Sequence, residues 1–318
     1  MADVADLPQM PKVTLGRTGI VTTPLGLGLA GWPHEVPFET LVQVVRTAFD
    51  VGIRHIDAAP KYGSEEMLGQ ALKEVNVPQD MVMATKICGY YDREIGIQYY
   101  GYRPDNVYRS AERSLKRLGV DRLDIVHLHD TRKEHLPQIF GKSGAITALQ
   151  DLKDQGVIRA IGMGTMAPDC LEAALDTGQI DVIQIFHVYT LLDRSAAHGL
   201  IPKARALGAP VFNAGPYAGY ILATGAVEGA KYNYAPALPH VTEAVRRMEA
   251  MCARRGVTIA QAALAFSLRS PDIAVTVVGS GKPHRVAGWV SELASPLTDA
   301  DFAELLAAAG DVGPLPHL

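Results

Sequence analysis

Only three cysteines occur in this chain of 318 residues, and Cys88, Cys170 and Cys252 lie too far apart for any CxxC pair. So sparse and odd a set argues against a disulfide framework and reads as reduced thiols of a cytosolic protein. Positive charge is not in excess: 30 Lys and Arg stand against 34 Asp and Glu, a formal net charge of −4. A nucleic-acid surface normally shows a basic stripe or patch, so that class is set aside. No run approaches the roughly 18 consecutive apolar residues that span a membrane. The opening segment, Met1 to Val13, has neither a basic start nor an apolar core, so it is not read as a signal peptide and the expected location is cytoplasmic. Ser/Gly linkers and charge runs are also missing, and a single domain over residues 1–318 is expected. What the chain does have is core material: 48% of residues are hydrophobic and 20% charged, unlike a disordered sequence. A small molecule is the expected partner, with a monomer or small homo-oligomer as the assembly.

The remaining pattern is short apolar runs alternating with amphipathic segments. The runs are Pro24–Ala30, Ile53–Asp57, Met81–Lys86, Leu123–His129, Ile158–Met163, Val182–Phe186, Pro210–Asn213 and Ala274–Val278. Each is short and Leu-rich or β-branched, and each runs into Gly, Pro, Asp or His, as buried parallel strands do. Between them, Phe38–Val51 sets Leu41, Val44, Val45, Ala48 and Val51 on one helical face, and Asp105–Leu118 does so with Val107, Ala111, Leu115 and Leu118 before Gly119. Further helices are expected at Glu65–Glu74, Ala145–Gln155, Pro168–Thr177, Ser195–Leu207, His240–Arg255 and Pro283–Ser291. Eight strand–helix units predict an α/β fold closed as a (β/α)₈ TIM barrel. Residues beyond that fold's usual length go to an N-terminal hairpin (Lys12–Thr23), a tyrosine-rich loop (Ile87–Arg103), a loop at Ala214–Pro239 and an extra C-terminal helix (Thr298–Ala309).

Three motifs compete for attention. Gly26-Leu27-Gly28-Leu29-Ala30-Gly31 matches the dinucleotide fingerprint GxGxxG, but that motif needs a helix to start at once, and Pro33 and Pro37 prevent one. The glycines read instead as a strand end passing close to a ligand or neighbouring backbone. Gly279-Ser280-Gly281-Lys282-Pro283 fails as a P-loop, since Thr276 stands where the first Gly belongs and Pro283 where the Mg²⁺-binding hydroxyl does. It still places free N–H groups ahead of a Pro-led helix, a natural phosphate site. His127 and His129 could be metal ligands two apart on a strand, but no Cys or Glu pair accompanies them. His127 reads as a buried, hydrogen-bonded core residue, and no metal is expected.

Asp57, Lys86 and His129 end three consecutive strands, and Tyr62 lies five residues past Asp57. In such a barrel these positions meet on the catalytic rim. An unperturbed phenol has a pKa near 10, which leaves only ~0.1% ionised near pH 7. A lysine ~4 Å away contributes at most ~4 kcal/mol at an effective dielectric of 20, about a thousandfold in that equilibrium. A carboxylate on the lysine's far side keeps it charged and aimed. Asp57, Lys86 and Tyr62 thus form a tuned general acid/base, with His129 placed to hydrogen-bond a substrate oxygen.

The stretch His55-Ile56-Asp57-Ala58-Ala59-Pro60-Lys61-Tyr62-Gly63-Ser64-Glu65-Glu66-Met67-Leu68-Gly69, with Ala84-Thr85-Lys86 and Asp124-Ile125-Val126-His127-Leu128-His129, resembles the aldo-keto reductase family. The resemblance runs from about Leu15 to Leu293. Within the family, Tyr189–Ser195, Tyr232–Pro236 and His129-Asp130 look like the branch of D-threo-aldose (L-fucose) and L-galactose 1-dehydrogenases. Membership implies a barrel that binds NAD(P) without a Rossmann domain and transfers hydride between nicotinamide C4 and a carbonyl or alcohol carbon, Tyr62 moving the proton. It implies a nicotinamide stack on Tyr189, contacts from Gly28 and Gln184, a pyrophosphate cover from Gly215 to Leu222 (Gly215, Tyr217, Gly219 and Leu222), and an adenosine end at Gly279, Ser280, Gly281, Lys282 and Arg285. Two departures stand out. Gly162–Met166 lacks the Asn that relatives use for the carboxamide, which leaves Thr165. Gly281 stands where relatives often carry an Arg, which weakens 2′-phosphate recognition and favours NAD over NADP, although Lys282 and Arg285 are close by.

The expected activity is NAD(P)-dependent oxidation of C1 of a free aldose to the lactone, with pyridoxal-type alcohol oxidation and NADPH-dependent carbonyl reduction as alternatives. From other classes, a metal-dependent barrel hydrolase and a non-catalytic nicotinamide binder remain as competing readings. The Tyr90 and Tyr91 loop after the Lys86 strand, which also holds Tyr99, Tyr100 and Tyr102, is expected to wall the substrate, with Trp32 as a second wall residue.

Overall fold

The computed structural model describes residues 9–30, 36–92, 97–233, 235–310 and 312, with backbone alone for 90–92 and 97–99. Eight strands form a closed barrel: β1 Leu25–Gly28, β2 His55–Asp57, β3 Val82–Ile87, β4 Leu123–His129, β5 Ile158–Thr165, β6 Val182–Phe186, β7 Val211–Ala214 and β8 Ile273–Val278. Every neighbouring pair is parallel, and β8 returns to β1. The strands are buried on both faces, which is why they read as unbroken apolar runs.

The helices follow from their apolar faces. Phe38–Asp50 buries Leu41, Val44, Val45 and Ala48. Pro104–Leu118 buries Val107, Ala111 and Leu118 and stops at Gly119, whose left-handed φ of +67° turns its N–H onto the Leu115 carbonyl. Glu65–Lys73, Ala145–Asp154 and Pro168–Asp176 match expectation within a residue or two. Ser195–Leu207 instead divides into a 3₁₀ turn (Ser195–Ala197) and a helix (Leu200–Ala206), and Pro283–Ser291 changes to 3₁₀ winding after Gly288.

One helix, Ile259–Leu268, has no counterpart in the sequence reading. It buries Ile259, Ala262, Ala263, Leu264, Ala265 and Phe266, so it shows no single apolar face for periodicity to detect. Its start is fixed by Thr258 and Gln261, each side chain bonding the other's backbone N–H. It lies between the barrel and Pro239–Arg254, which packs outward against Asp299–Ala309. The tyrosine-rich loop contains an antiparallel pair, Gly89–Asp92 with Ile97–Tyr100.

The N-terminal hairpin (Val13–Thr14 with Val21–Thr22) plugs one end of the barrel. Leu15 and Ile20 from its turn are fully buried among Val82, Ala84, Ile125, Val182 and Phe212. Above the plug sit His55, His127 and Phe212, the two imidazoles edge-on to the phenyl ring at 5.1 and 5.9 Å. Gly26 and Gly162 make room for them. A Cβ on Gly26 would come 2.8 Å from the His55 ring, and one on Gly162 2.2 Å from His127 Nδ1. The first two glycines of the GxG run thus serve packing, Gly28 facing Val277 in the same way. None of the four imidazole nitrogens has a hydrogen-bond partner, which corrects the hydrogen-bonded His127 expected from sequence. Burial, reinforced by the Lys86 charge, lowers the His55 pKa to about 3 and that of His127 well below its usual value.

Two predictions arise here. In the unfolded chain these histidines take up protons near pH 6.5, while in the folded barrel His55 does so only at about pH 3 and His127 well below its usual range. The unfolded state therefore binds more protons between these values, and each histidine removes up to about 1.4 kcal/mol of stability per pH unit as pH falls below 6.5. Melting temperature should drop by several degrees between pH 7 and 5, and less so in His127→Leu; a flat profile contradicts this. The second concerns Gly69, where a Cβ would lie 2.0 Å from the Arg117 carbonyl oxygen of the neighbouring helix. Helix propensity alone makes Gly→Ala stabilising by about 1 kcal/mol. Gly69→Ala should instead destabilise by about 1–3 kcal/mol through overpacking, read from its urea midpoint.

Candidate active site

Strand register assembles the site. Asp57 pairs with Ala84, Lys86 with His127 and His129 with Gly164, so β2, β3 and β4 bring Asp57, Lys86 and His129 to one mouth. Tyr62 arrives on a 3₁₀ turn, Pro60–Tyr62, which Gly63 closes at φ +70° with its N–H on the Pro60 carbonyl. All four side chains line a single cleft of about 2330 Å³.

Lys86 is 3% exposed, and its ammonium donates to the Asp57 carboxylate and to the Ala58 carbonyl at 3.2 Å. Gln184 Nε2 donates to the other Asp57 oxygen at 3.3 Å. Lys86 Nζ stands 5.0 Å from the centre of the Tyr62 ring, and the His129 ring meets Tyr62 edge-on at 5.4 Å. Burial pushes the His129 pKa down to about 3; Asp130 pulls it up, and Lys86 and Lys61 oppose that. His129 is therefore a neutral imidazole, able to donate one hydrogen bond to a substrate oxygen without carrying charge. Buried cation, phenol and neutral imidazole are arranged as an acid/base group with an oxygen-binding partner would need. Among the described residues, no three His, Cys, Asp or Glu side chains cluster as metal ligands would.

From the tetrad the cleft runs past Thr165 and Gln184 to Gly215, Tyr217 and Gly219, and on to Gly28, Gly279, Ser280, Gly281, Lys282 and Arg285. Two expected contacts do not reach it. The Tyr189 ring is stacked on Phe266 at 5.1 Å, inside the packing between barrel and outer helices. Leu222 is wholly buried in that same apolar cluster. Tyr102 is also a core residue, its hydroxyl bonded to His135 Nδ1 at 3.0 Å, whereas Tyr100 does line the cleft. Trp32 and the side chains of Tyr90 and Tyr91 lie outside the described residues.

Other lining residues were not anticipated. Phe186, the last residue of β6, presents a half-buried ring stacked on His187 at 3.7 Å; its place at a strand end was the available clue. His187 accepts a hydrogen bond from the Gly219 N–H at 3.2 Å and bonds Asn233 Oδ1 through Nδ1 at 2.9 Å, which fixes the loop from Gly215 to Tyr220. Gly215 is required there: its φ is +74°, and a Cβ would fall 2.4 Å from the His187 ring.

An extended dinucleotide suits this lining. Gln184 Oε1 is buried with no partner, an acceptor ready for an amide N–H. Opposite the tetrad, a Cβ on Gly279 would lie 2.4 Å from the Gly28 carbonyl oxygen, so only glycine allows the two backbones to meet at that cradle.

Known proteins are similar to this chain over most of its length. The family model described as "Aldo/keto reductase family" matches residues 24–309. L-galactose dehydrogenase of Arabidopsis thaliana is 34% identical over 86% of this chain and 84% of its own. NADH-specific methylglyoxal reductase of Escherichia coli is 29% identical, covering 92% and 96%, and D-threo-aldose 1-dehydrogenase of a Pseudomonas species 28%, covering 83% and 86%. With most of the chain matched and the tetrad gathered at the barrel mouth, this protein belongs to the aldo/keto reductase family and is an NAD(P)-dependent oxidoreductase.

Proposed function

We propose that this enzyme oxidises C1 of a free aldose of the L-galactose, L-fucose or D-arabinose type to the lactone, with NAD⁺ as the favoured acceptor. The observation that carries the reading is the buried Lys86–Asp57 pair 5.0 Å from the Tyr62 ring, with neutral His129 at its edge. Tyr62 takes the proton of the anomeric hydroxyl, and Lys86 stabilises the negative charge on the phenol oxygen. Asp57 and the Ala58 carbonyl hold Lys86 in place. His129 donates to the same substrate oxygen and orients C1. When bound, the nicotinamide supplies the hydride acceptor. Gln184, through its unpartnered Oε1, and Thr165 flank the carboxamide, and Phe186 lines the same cleft, which Tyr189 does not. Gly215 and Gly219 cover the pyrophosphate, while Gly28 and Gly279 allow its close approach. Ser280, Gly281, Lys282 and Arg285 hold the adenosine end. Support for NAD comes from Gly281, which offers no side chain to a 2′-phosphate, and from the NADH-specific relative. The aldose reading draws on two relatives named as sugar dehydrogenases.

The test mixes enzyme with NAD⁺ or NADP⁺ and L-galactose, L-fucose, D-arabinose or pyridoxal, following nicotinamide absorbance. Reduction with a sugar and NAD⁺ is expected, and Tyr62→Phe should lower kcat/KM by about 10²–10⁴-fold. Turnover of simple aldehydes with NADPH alone would replace the aldose reading by carbonyl reduction. A Tyr62→Phe enzyme as fast as wild type would remove the acid/base assignment.

A further inference from the structure

Each of two tetrad residues has a charged neighbour in sequence that the acid/base chemistry does not use. Lys61 precedes Tyr62, and Asp130 follows His129. The two neighbours form an ion pair, and both line the cleft. Side chains of consecutive strand residues point to opposite faces, yet His129 and Asp130 face the same cavity. The backbone explains this: Asp130 has φ +49°, a left-handed conformation uncommon for a residue with a side chain, and its N–H is tied to the Gly164 carbonyl at 2.9 Å. That turn brings Asp130 Oδ2 to 3.9 Å from His129 Nε2, beside the place where a substrate oxygen sits in the reading above. The side chains are 24% and 37% exposed, so a ligand in the cleft can reach both. At that exposure an ion pair adds little to stability, so stability alone does not account for the placing of these two charges at the cleft. Against its burial, the carboxylate is held ionised by the charges of Lys61 and Lys86 and by the hydrogen bond from Lys61.

We infer that Lys61 and Asp130 form a hydroxyl clamp at the reacting carbon, which selects substrates with a hydroxyl group on the adjacent carbon. Asp130 accepts that hydroxyl's hydrogen, and Lys61 donates to its oxygen. An unsubstituted aldehyde seated there would strip water from the Lys61–Asp130 pair and offer no hydrogen bond in exchange, which is the kind of mismatch that discriminates between substrates. The inference rests on the oxidoreductase reading above and narrows its substrate class to α-hydroxy carbonyl compounds and their hemiacetals.

The experiment compares glyceraldehyde with propanal, which differ in hydroxyl groups alone, in the reductive direction with NADH and NADPH. Wild type should favour glyceraldehyde in kcat/KM by tenfold or more. Asp130→Asn and Lys61→Met should each shrink that ratio at least fivefold, while Asp130→Glu keeps more of it than Asp130→Asn; matched melting temperatures confirm folding. A wild-type ratio near one, or a ratio that both variants preserve within twofold, overturns the clamp while leaving the oxidoreductase reading intact. Wild type inert towards both aldehydes and the sugar panel would instead overturn the reading on which the clamp rests.

Discussion

A lysine that is 3% exposed is tolerable only if its charge is answered, and in this barrel the answer comes from a neighbouring strand. Asp57 at the end of β2 and the Ala58 carbonyl beyond it take the Lys86 ammonium, and Gln184 from β6 steadies the second Asp57 oxygen. Removing either member of such a pair strands a buried charge, at a cost of about 3–5 kcal/mol in other proteins. The pair therefore constrains more than Tyr62. It requires β2 and β3 to keep the register that sets Asp57 beside Ala84, and it gives β6 a polar reason to lie where it does.

Below that pair the barrel interior is built to remain dry and neutral. His127 is the register partner of Lys86, and its imidazole with that of His55 has no hydrogen bond to help it carry a proton. A positive lysine directly above further discourages protonation. The hairpin plug, with Leu15 and Ile20 against Phe212, closes the other end. The same burial that makes the core acid-sensitive keeps water from the base of the tetrad, where the Lys86 charge would otherwise be screened.

The strands were legible because both faces are buried: Leu123–His129 and Val182–Phe186 agree with the structure at both ends. Their count and their alternation with helices were enough for the closed barrel. Asp57, Lys86 and His129 were legible for the same reason, since a polar residue that ends an apolar run stands out. Ile259–Leu268 was not, because burial all around it erased the periodicity that identifies a helix. Tyr189 misled in the opposite sense. An aromatic residue just past a strand suits a stacking platform, yet its ring is claimed by Phe266, and three residues earlier Phe186 holds the cleft-facing place. Asp130 could not be placed from sequence, because strand alternation points it away from the cleft and only its left-handed φ turns it back.

The residues that line the cleft differ in chemistry. In the part proposed for the dinucleotide, Gly28, Gly215, Gly219 and Gly279 offer close approach at positions where packing or positive φ leaves no room for a side chain, with Lys282 and Arg285 beyond them. A wall of that kind recognises a phosphate chain through N–H groups and constrains few side chains. The lining also carries side-chain charge, from Lys61, Asp130, Arg132, Lys133 and Glu134. Charges that line a cleft without neutralising burial keep water when the site is empty, and they give it up only to a ligand with matching hydroxyl or carbonyl groups. An apolar aldehyde offers nothing in exchange, whereas a sugar offers an oxygen at nearly every carbon. On the proposed reading, this charged lining adds to the Lys61–Asp130 contact a desolvation cost for any occupant that cannot replace the water.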